Sequence, residues 1–227
     1  MITGVLRRKS VLIKDERDAS RLRNRGYTGK NMGTALSLNL PVAIYLLESG
    51  RIEVKSGGVS VGKEELKSMM SEEERMLFLA FSCLRRGGKN PAFRGKRLMW
   101  NGLEIRTFWF DGMIDFPSLG NRGYIAVVAE EGCVLYSYGL VFRGEAKDVR
   151  SFLEKRGYVV ETGLKYGCDY RLYESSPHAT TLACYGSKLA AKNIVARVRI
   201  AHSVRKIYVQ IAMKNGKYKG YRLQWIR

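Results

Sequence analysis

The chain has 227 residues, and 40 Lys+Arg against 21 Asp+Glu leave a formal charge of +19 at pH 7. With 45% hydrophobic and 11% aromatic residues it can bury a sizeable core, which excludes a disordered basic tail, and no apolar run approaches the roughly 18 residues of a membrane span. An excess spread along the whole chain points to a polyanionic partner, nucleic acid ahead of an anionic membrane or an acidic protein, because a surface selected only for heat stability brings glutamate along with lysine. The start MITGVLRRKSVLI lacks the apolar stretch of a signal peptide, so a cytoplasmic location is expected. Cys83, Cys133, Cys168 and Cys184 form no CxxC pair and have no histidines at zinc spacing, so they are expected to be reduced core thiols, with no metal and no cofactor.

Residues 1–35 read as short strands and turns, with an apolar run at Val11-Leu12-Ile13 and breakers from Asn24 to Gly33. A helix follows: Asn39 caps it, Pro41 lies in its first turn, Val42, Ile44, Tyr45, Leu46 and Leu47 supply its apolar side, and Gly50 ends it. After a strand at 51–54, Ser71-x-x-Glu74 forms a capping box for a second helix through Met76, Leu77, Leu79, Ala80, Cys83 and Leu84, closed by Gly87-Gly88. Residues 1–88 thus read as a small N-terminal α+β domain. Residues 89–145 are a strand-rich, aromatic insertion containing IRTFWF and GYIAVVAEEGCVLYSYGLVF. Residues 146–227 read as a second α+β domain: a short helix near 147–156, strands near 158–161, 168–173 and 179–185, a helix over 189–203, and a closing hairpin over 207–226.

The chain also resembles itself at an offset of 84 residues. Tyr124-Ile-Ala-Val-Val-Ala-Glu-Glu-Gly132 falls on Tyr208-Val-Gln-Ile-Ala-Met-Lys-Asn-Gly216, matching Tyr, apolar alternation, a polar tip and Gly. The tips differ in sign, Glu130-Glu131 against Lys214-Asn215, and any two hairpins with Gly turns share part of this pattern.

Two stretches, Gly157-Tyr-Val-Val-Glu-Thr-Gly-Leu-Lys-Tyr-Gly-Cys-Asp-Tyr-Arg-Leu-Tyr173 and Val198-Arg-Ile-Ala-His-Ser-Val-Arg-Lys206, resemble the tRNA-splicing endonuclease family in its archaeal form. The N-terminal Ile2-Thr-Gly, the Leu36-Ser-Leu-Asn-Leu-Pro helix start and Gly50-Arg-Ile-Glu-Val resemble that family's non-catalytic domain. The resemblance implies a nuclease-like α/β catalytic domain with a mixed sheet at 146–227. It also implies metal-independent cleavage of precursor tRNA at a bulge-helix-bulge, leaving a 2′,3′-cyclic phosphate and a 5′-hydroxyl. The family's catalytic Tyr, His and Lys fall on Tyr173, His178 and Lys206, although only four residues separate Tyr173 from His178, a shorter loop than is usual. The family's base-clamping arginines fall on Arg199 and on Arg222, with Arg227 the rival for the second.

The chemistry suits these side chains. Transesterification needs a base at the 2′-OH, an acid at the leaving 5′-oxygen and a cation beside the phosphorane. Histidine titrates near neutrality and suits the acid, whereas a tyrosine near 10 needs help as a base, which Lys206 is expected to give by lowering it. A four-residue turn is expected to make Tyr173 and His178 a facing cross-strand pair. Each residue alone has an ordinary structural use, and His202 is read as structural.

For assembly, the family implies two catalytic and two structural units, with an acidic hairpin loop docked in a basic pocket. The C-terminal tip Met213-Lys-Asn-Gly-Lys-Tyr-Lys219 is basic, while Glu130 and Glu131 have the required sign. The expectation is a homodimer in which residues 97–144 act as a reduced structural unit and the middle strand pairs beside the terminal strand. The rivals are a heterotetramer with a separate structural subunit and, in another class, a non-catalytic RNA-binding subunit.

Overall fold

The computed structural model describes residues 1–226, and its architecture is α+β. The chain divides into two compact units, Met1–Ile105 with Glu130–Gly132, and Arg106–Ala129 with Cys133 onward.

The first unit contains β1 (Ile2–Arg7), β2 (Ser10–Ile13), α1 (Glu16–Asn24), β3 (Lys30–Met32), β4 (Ala35–Asn39), α2 (Leu40–Glu48), β5 (Ile52–Ser56), β6 (Val59–Ser60), α3 (Lys63–Ser68) and α4 (Glu72–Arg86). Its sheet runs β3-β4-β2-β1-β5-β6 and is antiparallel except for the parallel β1–β5 pair, Ile2 opposite Ile52. Alternate residues Val11 and Ile13, Leu36 and Leu38, and Ile52 and Val54 are buried, the period of two that one covered sheet face imposes.

Both expected helices form. Asn39 accepts from the Val42 N–H at 3.1 Å, and α2 buries Leu40, Val42, Ala43, Ile44 and Leu46. The capping box of α4 is complete: Ser71 Oγ accepts from Glu74 N–H at 3.2 Å, and Glu74 Oε2 accepts from Ser71 N–H at 2.8 Å. Two further helices form, α1 where strands and turns were expected and α3 where no element was expected. α1 starts where Asp15 accepts from Asp18 N–H at 2.9 Å and buries only Ala19 and Leu22, while α3 starts at Gly62 with no side-chain cap.

The strand-rich segment 89–145 contributes residues to both units. Within the first unit β7 (Ala92–Arg94), β8 (Arg97–Trp100) and the start of β9 (Leu103–Trp109) form an antiparallel meander, Ala92 opposite Met99 and Leu98 opposite Ile105. Glu130, counted with the same unit, pairs with Arg75 of α4 at 2.7 Å.

The second unit contains the rest of β9, then β10 (Met113–Asp115), β11 (Arg122–Ala129), β12 (Gly132–Gly144), α5 (Val149–Glu154), β13 (Val159–Thr162), β14 (Tyr170–Tyr173), β15 (Thr181–Tyr185), β16 (Lys188–Ala190), α6 (Ala191–Ser203), β17 (Ile207–Lys214) and β18 (Lys217–Ile226). Its strand order is β13-β14-β15-β17-β18-β12-β11-β9, while β10 and β16 pair separately. The sheet is mixed because β15 and β17 run parallel, Thr181 opposite Ile207, with α6 in the crossover between them.

Alternation again sorts the faces. Leu182, Cys184, Tyr208, Ala212, Tyr221 and Leu223 pack with Ile194, Val195, Val198 and Ala201 of α6. Ala183, Val209, Ile211 and Tyr218 pack with Val149, Phe152 and Leu153 of α5. Cys168 and Cys184 are buried free thiols, but Cys83 and Cys133 are only partly buried, so half of the expected core thiols lie at its margin.

The 84-residue likeness corresponds to two hairpins, β11–β12 and β17–β18. β12 pairs antiparallel with β18 inside one chain, from Leu135 opposite Ile226 to Gly144 opposite Tyr218, with a register shift between Leu140 and Phe142. The pairs Tyr138–Leu223 and Gly139–Arg222 interchange under the 84-residue offset, so the pairing has a local twofold centre between them. The edge of β18 is therefore covered from within the chain, and the middle strand meets the terminal strand without a second copy. No helix among the described residues is long and apolar enough to cross a membrane.

Candidate active site

β14 turns Leu172 into the α5 core, so its neighbours Arg171 and Tyr173 project from the opposite face. Pairing between β14 and β15 ends at Leu172 opposite Thr181, with the Thr180 N–H donating to the Leu172 carbonyl at 3.1 Å. Tyr173 and His178 are consequently not a cross-strand pair, contrary to expectation: the chain between them is a loop in which the His178 N–H donates to Ser176 Oγ at 3.2 Å.

Lys206 is placed by the end of α6. The Lys206 N–H donates to the Ala201 carbonyl at 2.8 Å and the Arg205 N–H to the His202 carbonyl at 3.1 Å, while Arg205 takes a left-handed φ of 55°. This two-bond wrap closes the helix and turns the next residue off its axis. The Lys206 ammonium donates to the Ala179 carbonyl, beside His178. Tyr173, His178 and Lys206 therefore line one pocket of about 150 Å³, together with Tyr166, Arg171, Pro177 and Ala179.

The electrostatics differ from expectation in one respect. Tyr173 Oη donates to Glu161 Oε2 at 2.9 Å, and this bond, ahead of desolvation, holds the phenol above its ordinary value; Arg171 pulls the other way. Lys206 spends a proton on Ala179 and is not among the groups that lower Tyr173. Glu161 itself lies on β13 opposite Arg171, whose Nη2 donates to the same carboxylate oxygen at 2.8 Å. Sequence reasoning passed over Glu161. The available signal was a lone acid in GYVVETG that an antiparallel turn brings back onto DYRLY.

Arg199 stands exposed on α6 and lies outside this pocket. Arg222 is exposed on β18 and lines a second pocket, of about 170 Å³, with Lys206, His202 and Trp225. The structure thus brings Arg222 near the Lys206 end of the site, while Arg199 is not among the residues of either pocket. Arg227 lies outside the described residues. His202 sets its ring edge against Trp225, centroids 5.6 Å apart, a packing use. Among the described residues no three His, Cys, Asp or Glu side chains gather as a metal site.

A phenol, an imidazole and an ammonium around one pocket in a strongly basic chain make a set suited to acid–base chemistry on a phosphodiester. The model for the tRNA intron endonuclease N-terminal domain matches residues 2–67, and that for the tRNA intron endonuclease catalytic C-terminal domain matches residues 147–220. A tRNA-splicing endonuclease of Thermococcus gammatolerans is 25% identical over 233 residues, covering 100% of this chain and 99% of the relative. One of Pyrococcus furiosus is 31% identical over 131 residues, covering 52% of this chain and 76% of the relative, and one of Methanothermobacter thermautotrophicus is 25% identical over 235 residues, covering 100% and 98%. The chain belongs to the tRNA-splicing endonuclease family.

Proposed function

We propose that this chain cuts precursor tRNA at bulge-helix-bulge junctions without a metal ion, leaving a 2′,3′-cyclic phosphate and a 5′-hydroxyl. The observation that carries the reading is the meeting of Tyr173, His178 and Lys206, three residues from a strand end, a loop and a helix exit, at one pocket. Tyr173 is the base at the 2′-OH, His178 the acid at the 5′-oxygen, and Lys206 the cation beside the phosphorane. Arg199 and Arg222 hold a bulged base, and the remaining positive charge cradles the phosphate backbone.

The working assembly is a homodimer in which residues 97–144, the β11–β12 hairpin among them, serve as a reduced structural unit. For docking on a second copy, Glu130 must exchange Arg75 for a partner, while Glu131 stands at the same turn.

The test is cleavage of a bulge-helix-bulge RNA by the chain alone in excess EDTA, with product ends identified by mass. Cutting is expected, and Tyr173→Phe, His178→Ala and Lys206→Ala are each expected to lose about 100-fold or more in rate. Tight RNA binding without cutting would make this a non-catalytic subunit, and full activity of His178→Ala would remove that residue from the mechanism.

A further inference from the structure

The expected chemistry assigns no task to Glu161, yet this carboxylate is the group most directly coupled to Tyr173. It accepts the phenolic proton at 2.9 Å and one Arg171 N–H at 2.8 Å on the same oxygen, and Arg171 is fixed in turn by its Nε–H on the Thr162 carbonyl at 2.8 Å. The charged and titratable groups around it come from several elements. Arg171 and Tyr173 bond it from β14, Tyr166 from the turn after β13 acts on Tyr173, and His178 and Lys206 line the pocket with Tyr173. On α5, Arg150 is occupied by Glu154 at 2.9 Å and by the Val160 carbonyl at 2.7 Å.

We propose that Glu161 is a positioning residue of this reaction: it aims the Tyr173 phenol and accepts the proton that Tyr173 passes on from the ribose 2′-OH. The proposal rests on the reading of Tyr173 as the base. A phenolate base standing beside a carboxylate would be doubly disfavoured, by its own ordinary ionisation near 10 and by the adjacent negative charge. A neutral phenol that relays a proton needs that same carboxylate.

The step balances. The 2′-OH proton moves to Tyr173 Oη while the phenolic proton moves to Glu161 Oε2, and the 2′-oxygen forms its bond to phosphorus. The bond from phosphorus to the 5′-oxygen breaks, and that oxygen takes a proton from imidazolium His178. The enzyme is left with neutral His178 and protonated Glu161, and water returns the proton from one to the other.

The experiment compares wild type, Glu161→Gln and Glu161→Asp in single-turnover cleavage from pH 5 to pH 9.5. Glu161→Gln is expected to be about 100-fold slower at pH 7, with KM unchanged and the deficit closing as pH rises and the phenol ionises by itself. Glu161→Asp, which keeps the charge, is expected to recover most of the rate. A deficit equal at every pH, or a change under roughly threefold, overturns the relay. A second readout needs no turnover: with 3-fluorotyrosine at position 173, the fluorine titration midpoint is expected to fall in Glu161→Gln, and an unmoved midpoint overturns the pairing. Wild-type protein that cuts nothing overturns the endonuclease reading beneath the proposal, and the relay with it, whatever the fluorine signal does.

Discussion

Tyr136 and Tyr173 have the same side chain in opposite circumstances. Tyr136 is fully buried, its hydroxyl has no hydrogen-bond partner among the described residues, and desolvation pushes it up to about 12, against a smaller opposing pull from Arg199. A phenol raised in the folded state keeps its full stabilising effect below its unfolded value near 10 and loses it as pH rises through the folded value. Stability is therefore expected to fall between about pH 10 and pH 12, read as a dropping urea midpoint, and Tyr136→Phe is expected to blunt the fall. Because it removes a buried hydroxyl unpaired among the described residues, the same variant is expected to be neutral or up to about 1 kcal/mol more stable at pH 7. At this scale Tyr173 and Lys206 were readable because each closes a recognisable stretch, and His178, outside both stretches, lines the same pocket. The sequence hid Glu161, whose importance comes from strand register and not from its neighbours in the chain.

Among the elements, those whose signals are local were the readable ones. The Asn39 cap and the Ser71–Glu74 box use atoms three residues apart, and both helices start where those residues say. α1 and α3 were lost because they bury little: Ala19 and Leu22 in one, Leu66 in the other. The Tyr173–His178 geometry was misread because loop length does not determine where a ladder begins. Packing between elements was equally invisible, and Gly220 is the clearest case. It lies opposite Phe142 just past the register shift, where an added Cβ would stand 2.0 Å from the Phe142 ring. Phe142 in turn meets Phe152 edge-on at 5.6 Å. Gly220→Ala is expected to cost about 1–3 kcal/mol by overpacking, measured by urea unfolding. Combining it with Phe142→Ala should give much less than the sum of the two single losses, because the clash disappears with the ring. Additive losses would show that the glycine is needed for some other reason.

At the level of the whole molecule, the charge of +19 predicts salt sensitivity. RNA affinity is expected to fall about 10³-fold or more between 50 and 200 mM salt, with a linear double-logarithmic plot. Sedimentation tests the assembly: a dimer of 25.7 kDa chains that cuts unaided excludes the need for a separate structural subunit, and a monomer that cuts only with an added partner excludes the homodimer. Glu131→Lys with Glu130→Lys is expected to weaken self-association.

The β12–β18 pair has a consequence for synthesis and refolding. Its two strands lie some eighty residues apart in sequence, and β12 is made first. Until β18 leaves the ribosome, β12 carries an open edge able to recruit a strand from another nascent chain. Once β18 arrives, closure is first order, and dilution does not oppose it. Crowded refolding should therefore yield strand-exchanged oligomers, while dilute refolding should yield correctly paired chains.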